Sequence, residues 1–216
     1  SGSNCTGESL RKSLELQKLG VDGLLIISPY YNKTNEEGMY HHLADVMDVV
    51  NVPCILYNIP GRTGCKISPA VVERLSSHPN AWGIKEASGD ISYAASIAHC
   101  LSDDFRMMSG NDDMIVPLMS LGAVGVISVW ADVAPSTVHD LCAKFLAGDV
   151  AGARKLQLDN LELIHSLFCE VNPIPVKAAL AKMGLLDENY RKPLWPMTDS
   201  DRERLYAAMK GAGLID

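Results

Sequence analysis

The sequence has no Cys-x-x-Cys pair, and no cysteine–histidine spacing in it fits a zinc site. The cysteines lie far apart, and three of them fall in apolar or helical segments. This distribution favours reduced, mostly buried thiols in a reducing compartment. The six cysteines are Cys5, Cys54, Cys65, Cys100, Cys142 and Cys169.

Long hydrophobic runs and blocks of basic residues are also missing. No apolar segment approaches the length of a membrane span, and residues 1–6 have neither the basic nor the apolar region of a signal peptide. A formal net charge of -7 argues against nucleic acid or an anionic membrane as a partner. We therefore expect a cytoplasmic protein. A single arginine in a pocket is still enough to bind a small anionic substrate.

What the sequence does contain is a series of short apolar runs separated by amphipathic segments. The runs cover residues 24–28, 54–58, 82–87, 106–110 and 125–129. Each is nearly continuous in hydrophobicity, which is typical of a parallel strand covered on both faces. The intervening segments 37–50, 69–76 and 91–101 have helical spacing. This alternation predicts an α/β protein.

Only helical patterns follow residue 137. They cover residues 138–147, 150–169, 175–183 and 200–212, and prolines punctuate them. We place a domain boundary near Gly148. Residues 1–148 then carry the strands, and residues 149–216 form a C-terminal helical appendage.

Parallel βα units build either an open doubly wound sheet or a closed (β/α)8 barrel. The sequence has no Gly-x-Gly-x-x-Gly motif and no P-loop, and polar residues gather instead where the predicted strands end. A barrel converges its strand ends on one pocket, so this distribution favours the barrel. Five strands cannot close a ring of eight, so we expect a partial (β/α)8 TIM barrel that lacks its N-terminal strands.

Lys85 lies near the end of the third apolar run, Trp-Gly-Ile-Lys-Glu-Ala. Burial of an ammonium group is costly and lowers the pKa of the amine. A neutral amine attacks carbonyl groups, which makes a lysine at a strand end a candidate for Schiff-base formation. The alternative is a lysine that has left the core and points into water.

Other strand ends carry further candidate residues. Two tyrosines, Tyr30 and Tyr31, follow the first predicted strand, and they cannot both point into one pocket. Tyr57 ends the second strand, where a phenol can transfer protons, and the Pro-Gly turn after it presents Arg62, whose planar group suits a carboxylate. Aromatic packing and a surface arginine are the alternatives for these residues. Two further positions are Gly110, where a ligand can approach the backbone, and Ile127 in the fifth run.

The order of these features on consecutive strand ends resembles the dihydrodipicolinate synthase family of pyruvate-dependent class I aldolases. The matching segments are 28–31, 56–64, 83–89, 109–112, 125–129 and 172–177. The lysine strand is similar to that of the whole superfamily. Arg62 and the Asn-Pro-Ile-Pro-Val-Lys segment from Asn172 are similar to the synthase branch.

The resemblance implies that Lys85 forms an imine with pyruvate, and that the resulting enamine attacks the aldehyde of L-aspartate 4-semialdehyde. Tyr57 transfers protons and contacts the pyruvate carboxylate, and Arg62 holds the carboxylate of the semialdehyde. Gly110 and the carbonyl group of Ile127 line the site. No metal or organic cofactor is implied.

The resemblance also implies a homo-oligomer, a dimer or tetramer, in which Tyr31 crosses to a neighbouring subunit and joins its proton relay. Family members that respond to lysine bind it at a subunit interface, and Asn4, Glu8 and Tyr30 match positions there. The alternative is that Asn4 and Glu8 form a helix cap and its first turn.

Two departures from the family pattern leave other functions open. The Gly-Thr-Thr-Gly loop that binds the pyruvate carboxylate is absent, and Trp130-Ala131-Asp132 stands where smaller or polar residues are commoner. The alternatives are an aldolase for a keto-deoxy sugar acid or N-acetylneuraminate, which Arg62 argues against, and a catalytically incomplete fragment. A phosphate-binding barrel is disfavoured, since no second glycine-rich loop is present.

Overall fold

The structure, a computed structural model, describes all residues from 1 to 216. The chain divides into two compact units. The first consists of Ser1–Asn111 and Pro117–Ile127, and the second consists of Asp112–Val116 and Ser128–Asp216. Parallel strands and helices alternate in the first unit, which confirms the predicted α/β class, and the second unit is helical.

The first unit repeats a strand followed by a helix. Its elements are α1 (Thr6–Lys18), β1 (Leu24–Ile27), α2 (Glu36–Val49), β2 (Cys54–Asn58), α3 (Pro60–Thr63), α4 (Pro69–Ser76), β3 (Ala81–Glu86), α5 (Ile91–Ile97) and β4 (Arg106–Ser109). Asn35, Ser68 and Asp90 cap α2, α4 and α5, since their side chains accept hydrogen bonds from backbone N–H groups of the first turn. The sequence pattern predicted α2, α4 and α5 but not α1.

The sheet is parallel throughout, with the strand order β1-β2-β3-β4. Because all strands run the same way, their carboxyl ends meet at one edge of the sheet. The register places Tyr57 of β2 beside Lys85 of β3, and Lys85 beside Met108 of β4. The sheet therefore fixes which side chains are neighbours at that edge.

The two faces of this sheet differ in burial. Alternate residues such as Ile26, Leu56 and Ile84 are fully buried. Their neighbours Leu25 and Ile55, which point to the opposite face, are only half-buried. The expectation of strands covered on both faces is therefore met on one face only.

The fifth predicted strand, residues 125–129, is reduced to a single bridge between Ser109 and Val126. The backbone leaves β4 after Ile127 and enters a 3₁₀ helix, Trp130–Asp132. The buried carboxylate of Asp112 stabilises this turn by accepting hydrogen bonds from the N–H groups of Val129 and Trp130. The expectation of five strands is wrong by one, and the sheet is open rather than closed into a ring.

The second unit contains a succession of helices: α7 (Pro135–Leu146), α8 (Val150–Asp159), α9 (Leu161–Ser166), α10 (Ile174–Lys182) and α11 (Asp199–Gly211). Another helix, α6 (Ile115–Ser120), has residues in both units. The single helix expected over residues 150–169 is interrupted at Asn160, which has a non-helical backbone. The boundary expected near Gly148 falls inside the second unit, because α7 packs against α8. None of the helices combines the length and the hydrophobicity that crossing a membrane requires.

Gly83 tests the pairing of β3 with β4. A Cβ atom at this position would overlap the backbone carbonyl group of Arg106 on β4, which cannot move without breaking the pairing. We expect Gly83→Ala to lower the free energy of unfolding in urea by about 1–3 kcal/mol. Gly7→Ala is the matched control, because a Cβ there meets nothing within 4 Å. Equal losses in the two variants would contradict this strand pairing.

Candidate active site

The carboxyl edge of the sheet brings the predicted catalytic lysine and tyrosine together. The Nζ atom of Lys85 lies 4.4 Å from the centroid of the Tyr57 ring. Both side chains are half-buried and point to the same face, because their positions are paired across β2 and β3. The Lys85 amine therefore packs against the Tyr57 ring at the carboxyl edge of the sheet, and in its protonated form it makes a cation–π contact with that ring.

Gly110, directly after β4, leaves the space that the lysine side chain occupies. A Cβ atom there would lie 3.1 Å from the Cε atom of Lys85 and 2.6 Å from the Cβ atom of Ala87. The N–H group of Gly110 also donates a 2.7 Å hydrogen bond to the carbonyl oxygen of Glu86. A missing side chain thus permits close packing beside the amine, and the predicted approach of a ligand to the backbone at Gly110 stays a prediction.

Two opposing effects act on the pKa of the Tyr57 phenol. Burial raises the pKa of Tyr57, and the positive charge of Arg62 acts in the opposite direction. Arg62 lies on the short helix α3, which follows β2 directly, and its side chain is exposed. A phenol is protonated at neutral pH even at its ordinary pKa, so Tyr57 is able to donate a hydrogen bond or a proton at this edge.

Loop contacts hold the segment after β1 against the segment after β2. The N–H group of Tyr31 donates a hydrogen bond of 3.2 Å to the carbonyl oxygen of Thr63, and the thiol of Cys65 contacts the carbonyl oxygen of Pro29 at 2.8 Å. Tyr31 has a positive φ of 70°, and its side chain is 89% exposed. The backbone at Tyr31 is therefore fixed while its ring extends from the surface.

Ile127 lies beside the same sheet edge through its backbone. Its N–H group donates a 2.9 Å hydrogen bond to the carbonyl oxygen of Ser109, the last residue of β4. The structure thus places Ile127 beside the residue that precedes Gly110. Its predicted role in lining the site stays a prediction.

The three residues matched to a lysine effector have separate neighbours. The carbonyl oxygen of Asn4 accepts a hydrogen bond from Asn32, and Glu8 pairs with Arg11 at 2.7 Å on the exposed side of α1. Tyr30 is 39% exposed. Cys5 occupies the N-cap position of α1 and its side chain makes no capping hydrogen bond, so the alternative interpretation is right that Glu8 lies in the first turn and wrong that Asn4 is the cap.

Sequence reasoning missed a buried polar cluster behind the lysine strand. Asn58 donates a 2.7 Å hydrogen bond to the carboxylate of Glu86, which also accepts hydrogen bonds from Ser88. Asn58 and Glu86 are 0% and 2% exposed. Strand alternation is the signal that could have found them, because residues that follow Tyr57 and Lys85 must point to the opposite face.

The chain contains no group of three or more histidine, cysteine, aspartate or glutamate side chains arranged to hold a metal ion. All six cysteines are free thiols. The functional groups that the structure gathers at this edge are an amine, a phenol and a guanidinium group.

Comparison with known families decides where this arrangement belongs. The sequence profile described as the Dihydrodipicolinate synthetase family matches residues 1–212. The chain belongs to this family. The resemblance seen in the strand-end motifs is thereby confirmed over almost the whole sequence.

Individual members of the dihydrodipicolinate synthetase family are also similar to this chain in sequence and in structure. The chain is 46% identical over 214 residues to 4-hydroxy-tetrahydrodipicolinate synthase 1 of Clostridium acetobutylicum, a match that covers 99% of this chain and 73% of that protein. The crystal structure of dihydrodipicolinate synthase from Thermotoga maritima superposes with a TM-score of 0.97 at 37% identity, covering 99% of this chain and 74% of that one.

A second solved structure adds a ligand to the comparison. It is the chloride-inhibited dihydrodipicolinate synthase of Acinetobacter baumannii complexed with pyruvate. Its TM-score is 0.95 at 42% identity, and the match covers 99% of this chain and 74% of that one. The fold of this chain is therefore that of the synthase family.

The opposing influences on Tyr57 give a titration test. Replacing Arg62 by alanine removes a positive charge that favours the phenolate, so the pKa of Tyr57 should rise further. The ultraviolet difference spectrum of phenolate formation measures this value, with a Tyr57→Phe variant to assign the signal. Arg62→Lys keeps the charge and should leave the pKa close to that of the parent protein. A fall in the pKa of Tyr57 in Arg62→Ala would contradict the arrangement.

Proposed function

We propose that this chain condenses pyruvate with L-aspartate 4-semialdehyde to give 4-hydroxy-tetrahydrodipicolinate, a step of lysine and diaminopimelate biosynthesis. The observation that carries the proposal is the amine of Lys85 lying 4.4 Å from the Tyr57 ring centroid at the carboxyl edge of the sheet. Family membership, the names of the relatives and the pyruvate held by one solved relative support it.

The reaction begins with attack of the neutral Lys85 amine on the keto carbon of pyruvate. Loss of water from the carbinolamine gives a protonated imine, which withdraws electrons from the methyl carbon. Loss of a methyl proton gives an enamine. Its terminal carbon forms a bond to the aldehyde carbon of the semialdehyde, the aldehyde oxygen takes up a proton and becomes a hydroxyl group, and the imine is formed again. The amino group of the former semialdehyde then attacks the imine carbon, closes the ring and releases the lysine.

Tyr57 and Arg62 take the supporting roles. The phenol of Tyr57, which is protonated at neutral pH, donates and recovers protons as the carbinolamine loses water. Arg62 binds the carboxylate of the semialdehyde through paired hydrogen bonds. Its exposed position on α3 suits a group that meets the second substrate at the mouth of the site.

Self-association completes the proposal. The ring of Tyr31 is 89% exposed while its backbone is held by Thr63, which is the arrangement needed to reach a neighbouring subunit. We infer a homo-oligomer, a dimer or tetramer, in which Tyr31 joins the partner's proton relay. Lysine regulation through Asn4, Glu8 and Tyr30 is a weaker proposal, since Glu8 is already paired with Arg11.

Two further expectations belong to the same proposal. A cytoplasmic location is supported by six free thiols, which persist in a reducing compartment. A partial (β/α)8 arrangement is supported by the parallel βα order and by the superposition on about three quarters of the Thermotoga maritima chain. An aldolase for a keto-deoxy sugar acid is disfavoured, because the named relatives are synthases and Arg62 suits a carboxylate.

The assay that tests the proposed function separates the two substrates. Arg62→Ala should raise the KM for L-aspartate 4-semialdehyde by about tenfold or more, because it removes a charge-assisted hydrogen bond worth about 1.5–3 kcal/mol. The KM for pyruvate should not change, since pyruvate is held by the lysine. Arg62→Lys should give an intermediate value. Equal effects on both substrates, or faster turnover of sugar aldehydes than of the semialdehyde, would reject this assignment.

A further inference from the structure

A buried amide connects the strand of Lys85 to the loop that carries Arg62. The Nδ2 atom of Asn58 donates to the carboxylate of Glu86 at 2.7 Å, and its Oδ1 atom accepts a hydrogen bond of 3.1 Å from the N–H group of Ile67. Ile67 ends the segment that begins after β2 and contains α3 with Arg62. The side chain of Asn58, which is 0% exposed, is therefore hydrogen-bonded both to the strand that carries Lys85 and to the loop that carries Arg62.

The carboxylate of Glu86 anchors the segment that follows β3. It accepts a 2.7 Å hydrogen bond from the N–H group of Ser88 and another from the Ser88 hydroxyl group. The Ser88 hydroxyl in turn accepts from the N–H group of Asp90, which caps α5. Glu86 therefore holds both the β2 end and the βα turn after Lys85.

The same two loops are joined by two further contacts, one exposed and one buried. Lys66 pairs with Asp90 at 3.2 Å, and the hydroxyl group of Tyr93 donates a 2.7 Å hydrogen bond to the carbonyl oxygen of Ile67. The exposed ion pair contributes little, so the buried hydrogen bonds of Asn58, Glu86 and Tyr93 form the main connection between the two loops.

We propose that Asn58 and Glu86 are positioning residues that set Lys85 against Tyr57 and hold the Arg62 loop in register with them. Their hydrogen bond crosses from β2 to β3 at the pair of residues immediately after Tyr57 and Lys85. Asn58 follows Tyr57 in β2 and Glu86 follows Lys85 in β3. A shift of the first residue pair therefore also displaces Tyr57 and Lys85, which point to the opposite face of the sheet. The catalytic part of this inference rests on the proposed function.

The charge of Glu86 determines how the cluster responds to substitution. Burial raises the pKa of Glu86, whereas hydrogen bonds from Asn58 and Ser88 and the charge of Lys66 act in the opposite direction. Asn58 and Ser88 donate hydrogen bonds to different oxygens of the Glu86 carboxylate, and an ionised carboxylate accepts on both. Tyr93 is a further titratable group near it.

The cluster allows a swap of donor and acceptor. Asn58→Asp keeps the acceptor for Ile67 but places two carboxylates against each other. Glu86→Gln keeps one acceptor oxygen but turns a donor toward either Asn58 or Ser88. In the double variant, the new amide at position 86 is able to donate to the new carboxylate at position 58, while its oxygen accepts from Ser88. The hydrogen bond between positions 58 and 86 is then restored, with donor and acceptor exchanged.

The experiment measures the rate of imine formation with pyruvate, quenched by borohydride, in the parent protein and these three variants. Each single variant should slow imine formation by about tenfold to a hundredfold, because a reacting group displaced by an ångström has that effect. The double variant should recover most of the rate. For Asn58→Asp, the rate relative to the parent should rise as the pH falls, since protonation of one carboxylate restores the hydrogen bond.

Asn80→Asp is the matched control. The amide of Asn80 donates to the carbonyl oxygens of Met47 and Val50 at 2.8 and 2.7 Å, at the opposite end of β3. It should lower the midpoint of thermal unfolding without slowing imine formation in the folded protein. Single variants that slow the reaction no more than this control, or a double variant that is not rescued, overturn the proposal. If Asn58→Asp does not fold, Glu86→Gln and the double variant decide in the same way.

A second readout is independent of the proposed reaction. Acetic anhydride labels lysine amines, and peptide mass spectrometry compares the labelling rate of Lys85 with that of Lys210, an exposed lysine on α11, without any substrate. The single variants should change this ratio and the double variant should restore it. If the parent protein forms no imine with pyruvate, the proposed function fails, while an unchanged labelling ratio alone rejects the positioning role.

Discussion

The parallel pairing of β2 with β3 is the constraint on which the site depends. It places Tyr57 beside Lys85 on one face and Asn58 beside Glu86 on the other. The first pair carries the amine and the phenol, and the second pair forms a buried hydrogen bond of 2.7 Å. A slip of one residue would exchange the two faces, burying the amine and exposing the carboxylate.

The sequence was sufficient for the α/β class and for the strand-end residues. Continuous apolar runs predict β1 to β4, and Lys85, Tyr57 and Gly110 do meet at one edge. The pattern failed at residues 125–129, where apolar composition alone does not show that the backbone turns away after Ile127 to meet Asp112. The bond between the side chains at positions 58 and 86 was missed because it joins residues far apart in the chain, and only the register makes them neighbours.

Family membership and local geometry support the function in different ways. The family profile and the relatives describe what similar chains do. The geometry explains how these residues are suited to it: a half-buried amine against an aromatic ring, a glycine that leaves room for it and a phenol whose pKa is raised by burial. The residue roles are implied by the family resemblance, the geometry is compatible with them, and experiment must decide them.

The most direct test of the central claim is to locate the covalent adduct. The protein is incubated with pyruvate, reduced with borohydride and digested, and its peptides are analysed by mass spectrometry. A stable adduct on Lys85 alone is the predicted result. No adduct, or an adduct on another lysine such as Lys66, would contradict the assignment of Lys85 as the Schiff-base residue.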